Sequence, residues 1–399
     1  MTAKNSRKAD PGKGRRGRRY EEAEIPLKRL AQARVRLLDW YDRNARDLPW
    51  RRTRDPYAIW ISETMLQQTR VDTVIPYYTR FLERFPDVES LADADLEEVY
   101  ALWTGLGYYS RARNLHGAAQ SVVTDWSGEL PERVESLREL KGIGRYTAGA
   151  LASIAFGREE ALVDGNVIRV LARFLAVRED VGETSVVEYF WRLASAIVVG
   201  ERPGDLNQAL MELGATICTP RSPDCEACPL AKNCAGRAAG DPAALPLKKK
   251  RTRVRRVEAV AAWIERRGRV LAVRRPEGGL LGGLWELPGG ELEAGEAPDA
   301  GLHRSLAQAL GLRLTGLENA GEIGHLFSHR RLRLHVFRGL GVSGRVRREG
   351  FAEHRWLTPS ALAALPHGGP TRKALALLGV ADPESHRSRL RQACGEIQA

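Results

Sequence analysis

The sequence predicts two domains, an all-α domain followed by a smaller α+β domain. Three observations carry this. With 399 residues the chain is too long for one ordinary hydrophobic core. From Glu24 to about Ala235 apolar residues recur at three- and four-residue spacing, as in IPLKRLAQARVRLLDWY and LADADLEEVYALWTGLGYYSRA, and no convincing period-2 strand interrupts them. Beyond Val254 the period changes, and alternation is clear in LRLHVF.

The first 24 residues, beginning MTAKNSRKADPGKGRRGRRY, lack an apolar stretch and are expected to form a disordered basic tail rather than a secretory signal. Such a tail serves solubility or loose contact with phosphates. The whole chain carries a formal charge of +12 and a pI near 9.7, a surplus that implies a polyanionic partner: nucleic acid or an anionic membrane surface. No run of eighteen apolar residues exists, so a membrane span is excluded. The expected compartment is the reducing cytoplasm, which argues against a disulfide framework.

Residues 25–236 are expected as the helical domain. Residues 237–253, rich in Ala, Gly and Pro and then in cations, read as a linker. Residues 254–375 are the α+β domain, opening with two strands around a turn at Arg267–Gly268, and residues 376–399 read as a flexible tail.

Four of the five cysteines crowd into CTPRSPDCEACPLAKNC, with the spacing C-x6-C-x2-C-x5-C through Cys218, Cys225, Cys228 and Cys234. Four thiolates in one loop hold a tetrahedral zinc or an iron–sulfur cube. Zinc sites usually pair their ligands as two short knuckles; here only Cys225 and Cys228 do so, which favours the larger cluster. Closing this loop would present cations such as Arg221 to a phosphate backbone. Cys394 stands far away and reads as an ordinary tail thiol.

RVESLRELKGIGRYTAGALASIAF reads as helix, tight turn, helix. Gly142 and Gly144 supply the turn's backbone freedom and let N–H groups at the second helix's start approach a phosphate. This is a helix-hairpin-helix pattern, suited to sequence-independent grip on a nucleic-acid backbone. Whether the hairpin also holds a monovalent cation is open from sequence.

The order of hairpin, VDGNV and cysteine loop resembles the endonuclease III superfamily of base-excision glycosylases, which extrude a nucleotide and cut its sugar–base bond. The resemblance implies a [4Fe-4S] cluster on the four cysteines. The superfamily's bifunctional lyases carry a lysine where this chain has Tyr146, and a phenol cannot form an imine. The resemblance therefore implies base removal alone; the alternative, an endonuclease III–type glycosylase/lyase, lacks its amine.

Glu63, in YAIWISETMLQQTRV, has Ile59, Trp60, Leu66 and Gln67 at helical neighbour positions and no cation among them. On an apolar face such a carboxyl stays protonated near neutrality and can act as a general acid; at a helix start in water it would be ordinary. SETMLQQT resembles the adenine DNA glycosylase family, in which this Glu protonates the departing adenine. Asp164, in ALVDGNVIRVLARF, reads alone as a turn or helix cap. In the resemblance it is the catalytic aspartate that balances an oxocarbenium-like sugar. Tyr146 and Asn166 match partners of the sugar and of that aspartate. Arg46, Trp50, Arg51 and Gln208 match positions around the adenine, although Trp50 also reads as core. Gln68 and Thr69 match residues that fill the duplex beside the extruded base, and Leu106 in GLGYY matches a wedge.

GELEAGEAPDAGLHRSLAQALGL fits the frame of a Nudix box through Gly290, Glu296, Arg304, Leu306, Gly311 and Leu312. Ser305, Gln308 and Ala309 stand where Nudix hydrolases have acids, and magnesium needs carboxylate oxygens, so a Nudix-like fold is expected without pyrophosphohydrolase activity. The domain resembles the part of adenine DNA glycosylases that reads 8-oxoguanine opposite the adenine through a Phe-Ser-His loop, here Phe327, Ser328 and His329. Arg330 follows, where an apolar residue is expected. The implied partner is double-stranded DNA containing A opposite 8-oxoguanine or G, bound by a monomer at the nucleoid.

Overall fold

The computed structural model describes residue 20 and residues 23–249, 255–327, 329–347 and 349–380. The expectations for Ser328, Cys394, most of the N-terminal tail and residues 381–399 lie outside these.

The helical part follows the apolar periodicity. In chain order it comprises α1 (Leu27–Asn44), α2 (Pro56–Leu66), α3 (Val71–Arg84), α4 (Val88–Ala92), α5 (Leu96–Trp103) and α6 (Ser110–Asp125). It continues with α7 (Val134–Leu137), α8 (Arg145–Ile154), α9 (Gly165–Leu175), α10 (Thr184–Val198), α11 (Pro203–Thr216) and α12 (Ala235–Ala238). Leu30, Ala33, Leu37, Trp40 and Tyr41 form the buried stripe of α1 at helical spacing. By contrast, α2 is buried on every side from Tyr57 to Met65. Its start is fixed by Asp55, whose carboxylate accepts the N–H groups of Tyr57 and Ala58 at 3.1 and 3.2 Å, and by Pro56 at the first position.

The chain forms two compact units that interleave in sequence. One holds the described residues up to Thr64 and those from Thr124 to Lys249. The other holds Met65 to Val123 and the described residues from Arg255 onward.

The second unit contains a mixed sheet of seven strands, β1 (Arg255–Arg266), β2 (Arg269–Arg274), β3 (Trp285–Glu286), β4 (Gly289–Glu291), β5 (Arg313–Leu326), β6 (Arg330–Ser343) and β7 (Glu353–Leu357). The order is β3-β2-β1-β6-β5, with β4 also on β1 and β7 on β2. Strands β1 and β6 run parallel and the other pairs antiparallel. The turn at Arg267–Gly268 joins β1 to β2 with both φ angles positive, 51° and 70°, as a two-residue hairpin loop requires.

Strand β1 buries both faces, which explains its near-continuous apolar text. Ala259, Ala261 and Trp263 point to one side, against α14 (Pro359–Ala364) and α15 (Gly369–Leu377), through Leu362, Ala374 and Leu375. Val260, Ala262 and Ile264 point to the other, against Leu302, Leu306 and Leu310 of α13 (Pro298–Leu310). Helices therefore cover both faces of the sheet. In the same unit the Trp285 indole donates to Glu97 of α5 at 2.7 Å, and the Tyr109 hydroxyl of the helical portion donates to the His367 carbonyl at 2.8 Å.

The segment read as a linker is packed over its first half. Leu245 is buried, and its carbonyl accepts from the buried Arg173 guanidinium at 2.9 Å. Composition alone missed this, because the partner is 72 residues away. Among the described residues no helix is long and apolar enough to cross a membrane.

Candidate active site

In the first unit, the hairpin places Tyr146 beside Glu63. Gly142 takes φ +87° in the turn, and Gly144 caps α8. Tyr146 sits one residue into that helix. Its hydroxyl donates to Glu63 Oε2 at 2.8 Å and lies 3.3 Å from the Met211 sulfur. Glu63 is 5% exposed. Burial pushes its carboxyl up to about 7, aided by the charge of Asp164 and opposed by the Tyr146 hydrogen bond and by Arg51. The Tyr146 phenol is driven well above its ordinary value, by burial first and then by the two carboxylates, so it stays a neutral donor.

Asp164 is both cap and candidate catalyst. It is the N-cap of α9 and accepts the Val167 N–H at 2.7 Å. Its other oxygen accepts the Asn166 amide at 2.8 Å. Burial raises its carboxyl, and these two N–H donors pull it back towards the ionised form. Glu63 and Asp164 each act on Tyr146 electrostatically, so the two carboxyls share one neighbourhood with unlike partners.

Asn166 is held in turn. Its Cβ lies against Gly214 of α11, where an added methyl would approach within 2.6 Å, and its Oδ1 accepts from Arg169 at 2.7 Å. Arg169 also donates to the Cys218 carbonyl at 2.7 Å and the Gly214 carbonyl at 2.6 Å. Helix α9 thus begins at Asp164 and braces the cysteine loop one turn later. Arg173, the next turn along, reaches Cys218 Sγ at 3.3 Å and the carbonyls of Thr219 and Pro220 at 2.7 and 2.8 Å.

The four cysteines are half-buried and free of disulfides. They line one small cavity together with Arg173, Ile217, Arg237 and Pro242. Among the described residues no three side chains converge as the ligands of a single ion would. Four sulfurs around one cavity, beside the Arg173 and Arg237 guanidinium groups, fit a multi-iron cluster. Arg221 of the same loop is exposed.

Arg46, Trp50, Arg51 and Gln208 line a cavity of about 300 Å³ with Tyr41, Ile154 and Asp205. Trp50 is 6% exposed and packs in the core while lining that cavity. Sequence reasoning missed what holds the two arginines. Glu212, 1% exposed, accepts two bonds from the Arg46 guanidinium at 2.7 and 2.9 Å, one from the Arg46 backbone N–H at 3.2 Å and one from Arg51 at 2.8 Å. Burial would raise this carboxyl, but the two guanidinium groups overwhelm that and hold it at about 2.

In the second unit, Gln68 and Thr69 follow the end of α2, with Gln68 at φ +60°. Leu106, expected as a wedge, is buried at 6%, whereas Tyr108 of the same GLGYY loop stands 43% exposed at φ +50°. The projecting side chain of the loop is Tyr108. Both segments hang on Arg111, which sequence reasoning did not single out. Its guanidinium donates to the carbonyls of Met65 (2.8 Å), Gln67 (2.6 Å) and Gly107 (3.1 Å) and to the Thr69 hydroxyl (3.2 Å), and it lies over the rings of Trp103 and Tyr108. Burial lowers it to about 10, so it remains charged. Arg111→Met is expected to destabilise the protein by roughly 2–4 kcal/mol, because several buried carbonyls lose a charged donor. Limited proteolysis near residues 66–69 and 104–109 would report the loosening, and Arg111→Lys should rescue only part of it, since one ammonium cannot serve both loops.

Phe327 and His329 flank the turn between β5 and β6. Arg330 clamps them. It donates to Glu291 Oε1 at 2.7 Å and to His329 Nε2 at 3.1 Å, and it lies over the Phe327 ring at 5.9 Å. Arg330 therefore links His329 and Glu291 beside the Phe327 ring.

Comparison with known proteins accords with this geometry. Residues 61–196 match the HhH-GPD superfamily of base excision DNA repair proteins, residues 218–234 the iron-sulfur binding domain of endonuclease III, and residues 259–377 a NUDIX domain. The chain is 41% identical over 361 residues to the adenine DNA glycosylase of Mus musculus, covering 76% of this chain and 70% of that one. It is 40% identical over 383 residues to that of Rattus norvegicus, covering 82% and 73%.

The chain belongs to the adenine DNA glycosylase family. It is a base-excision DNA N-glycosylase that removes adenine, and DNA is its partner. The fold is a helix-hairpin-helix domain followed by a Nudix-like domain, and the four-cysteine loop carries a 4Fe-4S cluster. Cys218, Cys225, Cys228 and Cys234 span the matched residues 218–234 end to end.

Proposed function

We propose that this glycosylase is monofunctional and removes adenine opposite 8-oxoguanine, and also opposite guanine, as a monomer at the cytoplasmic nucleoid. The observation that carries the reading is the pairing of Glu63 with Tyr146: a buried carboxyl poised at about 7 bonded to a phenol rather than to an amine. Protonated Glu63 gives its proton to a ring nitrogen of adenine as the N-glycosidic bond breaks. Asp164, whose oxygens accept from Val167 and Asn166, balances the positive charge left on the sugar. Water then adds to the sugar carbon, and the proton it sheds returns to Glu63. The cluster closes the loop that presents Arg221 to the phosphate backbone, and Gly142 and Gly144 admit that backbone to the start of α8. Arg46, Trp50, Arg51 and Gln208 receive the adenine, while Gln68 and Thr69 fill the duplex, with Leu106 and the exposed Tyr108 of the GLGYY loop beside them.

The helical domain spans residues 25–236 and the reading domain residues 254–375, with Phe327, Ser328 and His329 at the damaged base. Undamaged A·T pairs vastly outnumber lesions, so excision must draw on energy available only at the correct partner. The test is single-turnover adenine release from duplexes with 8-oxoguanine, guanine or thymine opposite the adenine, with borohydride trapping in parallel. Release in the order 8-oxoguanine, guanine, thymine without a trapped adduct supports the reading. A wild-type adduct would overturn the monofunctional assignment. Tyr146→Lys, which puts an amine where the phenol stands, is expected to gain a trappable adduct above wild type.

A further inference from the structure

Two of the segments assigned to DNA in the second unit rest on one short segment of the Nudix-like domain, His367–Lys373. On one side of it, the His325 ring packs against the first residue of α15. A Cβ at Gly369 would lie 2.6 Å from His325 Cε1 and 3.3 Å from both ring nitrogens, so the contact has no room for a methyl. The same ring meets Phe327 edge-on at 4.5 Å between centroids. Lys373 donates to the Gly324 carbonyl at 2.7 Å, tying the helix to the strand that leads into the Phe-Ser-His turn.

On the other side, Tyr109 of the GLGYY loop donates to the His367 carbonyl at 2.8 Å. The Arg372 guanidinium sits beside Gly105, with Nη1 3.6 Å from where a Cβ would be. The segment itself is fixed. His367 is 1% exposed, with one ring nitrogen 2.8 Å from the Trp285 carbonyl and the other 2.6 Å from the Leu362 carbonyl.

We propose that His367–Lys373 is a rigid bridge that sets the distance between the Phe327–His329 turn and the GLGYY loop, with His325 and Tyr109 as its positioning residues. This rests on the reading above, in which the turn inspects the base opposite adenine and the loop enters the duplex. If both must engage at once, their spacing is a specificity determinant. A misplacement of about 1 Å costs on the order of 10²-fold in rate at a preorganised site. None of the bridge's side chains is part of the chemistry at Glu63 and Asp164, so changing it should alter partner-base discrimination more than excision itself.

The test uses full-length holoenzyme. Gly369→Ala forces the His325 ring away, and Tyr109→Phe removes the opposite tie while keeping the ring. Each is expected to lower the ratio of single-turnover excision opposite 8-oxoguanine to that opposite guanine by about tenfold. The double variant should fall little further than either single one, because both changes break one connection. In DNA-free protein, deuterium exchange at residues 104–109 should quicken in Gly369→Ala, although that substitution lies on the far side of the bridge. Unchanged exchange at 104–109, or discrimination losses that multiply in the double variant, overturns the bridge. A wild type indifferent to 8-oxoguanine overturns the recognition reading instead, and the exchange measurement then decides the bridge alone.

Discussion

Glu63→Gln is expected to slow adenine release by about 10²–10⁴-fold, the range that a positioned general acid contributes, while duplex affinity persists. The exchange is nearly isosteric, and the Tyr146 hydroxyl can donate to the amide oxygen as it now donates to Glu63 Oε2 at 2.8 Å. What disappears is the transferable proton. The pH profile sharpens the test. With the carboxyl at about 7, the acid form dominates below neutrality and is lost above it. Wild-type single-turnover excision should therefore decline as pH rises through about 7, and whatever activity the Gln variant retains should lack that decline. Substantial residual excision with the same falling limb would mean that another group protonates the base.

Glu63→Gln should move stability in the direction opposite to activity. Glu63 binds its proton more tightly in the folded protein, at about 7, than a free carboxyl at 4.5, so folding is favoured by protonation and stability falls as pH rises across that window. The full effect is of the order of 3 kcal/mol above pH 7. Glu63→Gln removes the buried charge, so the variant should melt higher than wild type at pH 8 and about equally at pH 4.5. Activity and stability are opposed at this residue, as expected of a group held in an unfavourable environment for a chemical purpose.

What could be read from sequence depended on whether the partner was near in the chain. The cysteine loop, the Gly-x-Gly hairpin and the acid on an apolar helix are local patterns. So is the Arg267–Gly268 turn; the turn and the hairpin lie in the structure where the sequence placed them. The residues that hold these features together were not legible. Glu212 steadies Arg46 from 166 positions away. Arg111 reaches back 46 residues to Met65. Arg173 takes the carbonyl of Leu245, in a stretch that composition marks as linker. In a chain with 62 lysines and arginines, no single cation announces itself as buried. Only the folded topology turns a solvated charge into a donor to three or four carbonyls. Leu106 and Tyr108 illustrate the same limit over two positions. The GLGYY text marks a tight loop, but which side chain leaves it is decided by the left-handed backbone at Tyr108.

Asp164→Asn separates two roles that coincide in one side chain. Asp164 caps α9 through the Val167 N–H at 2.7 Å, and Asn caps a helix about as well as Asp. If capping were the whole purpose, the variant would fold and work normally. The structure also aims the second oxygen at Asn166, whose position is set by Gly214 and Arg169. A cap needs no such support; a carboxylate that must keep one orientation towards a developing cation does. Asp164→Asn is therefore expected to keep the helix cap, to lose the bond from the Asn166 amide, and to excise adenine about 10²–10³-fold more slowly on both mismatches, the loss typical of one preorganised electrostatic stabiliser. The pH profile again gives the sign. Asp164 works ionised, and burial raises its carboxyl above the ordinary value. Wild-type excision should rise with pH through that raised value before it falls through the Glu63 limb, a bell whose two arms belong to the coupled pair. Asp164→Asn should lose the acidic arm, and Glu63→Gln the alkaline one. An Asp164→Asn enzyme that retains near-normal excision would reduce this residue to a helix cap and leave the sugar cation without its counter-charge.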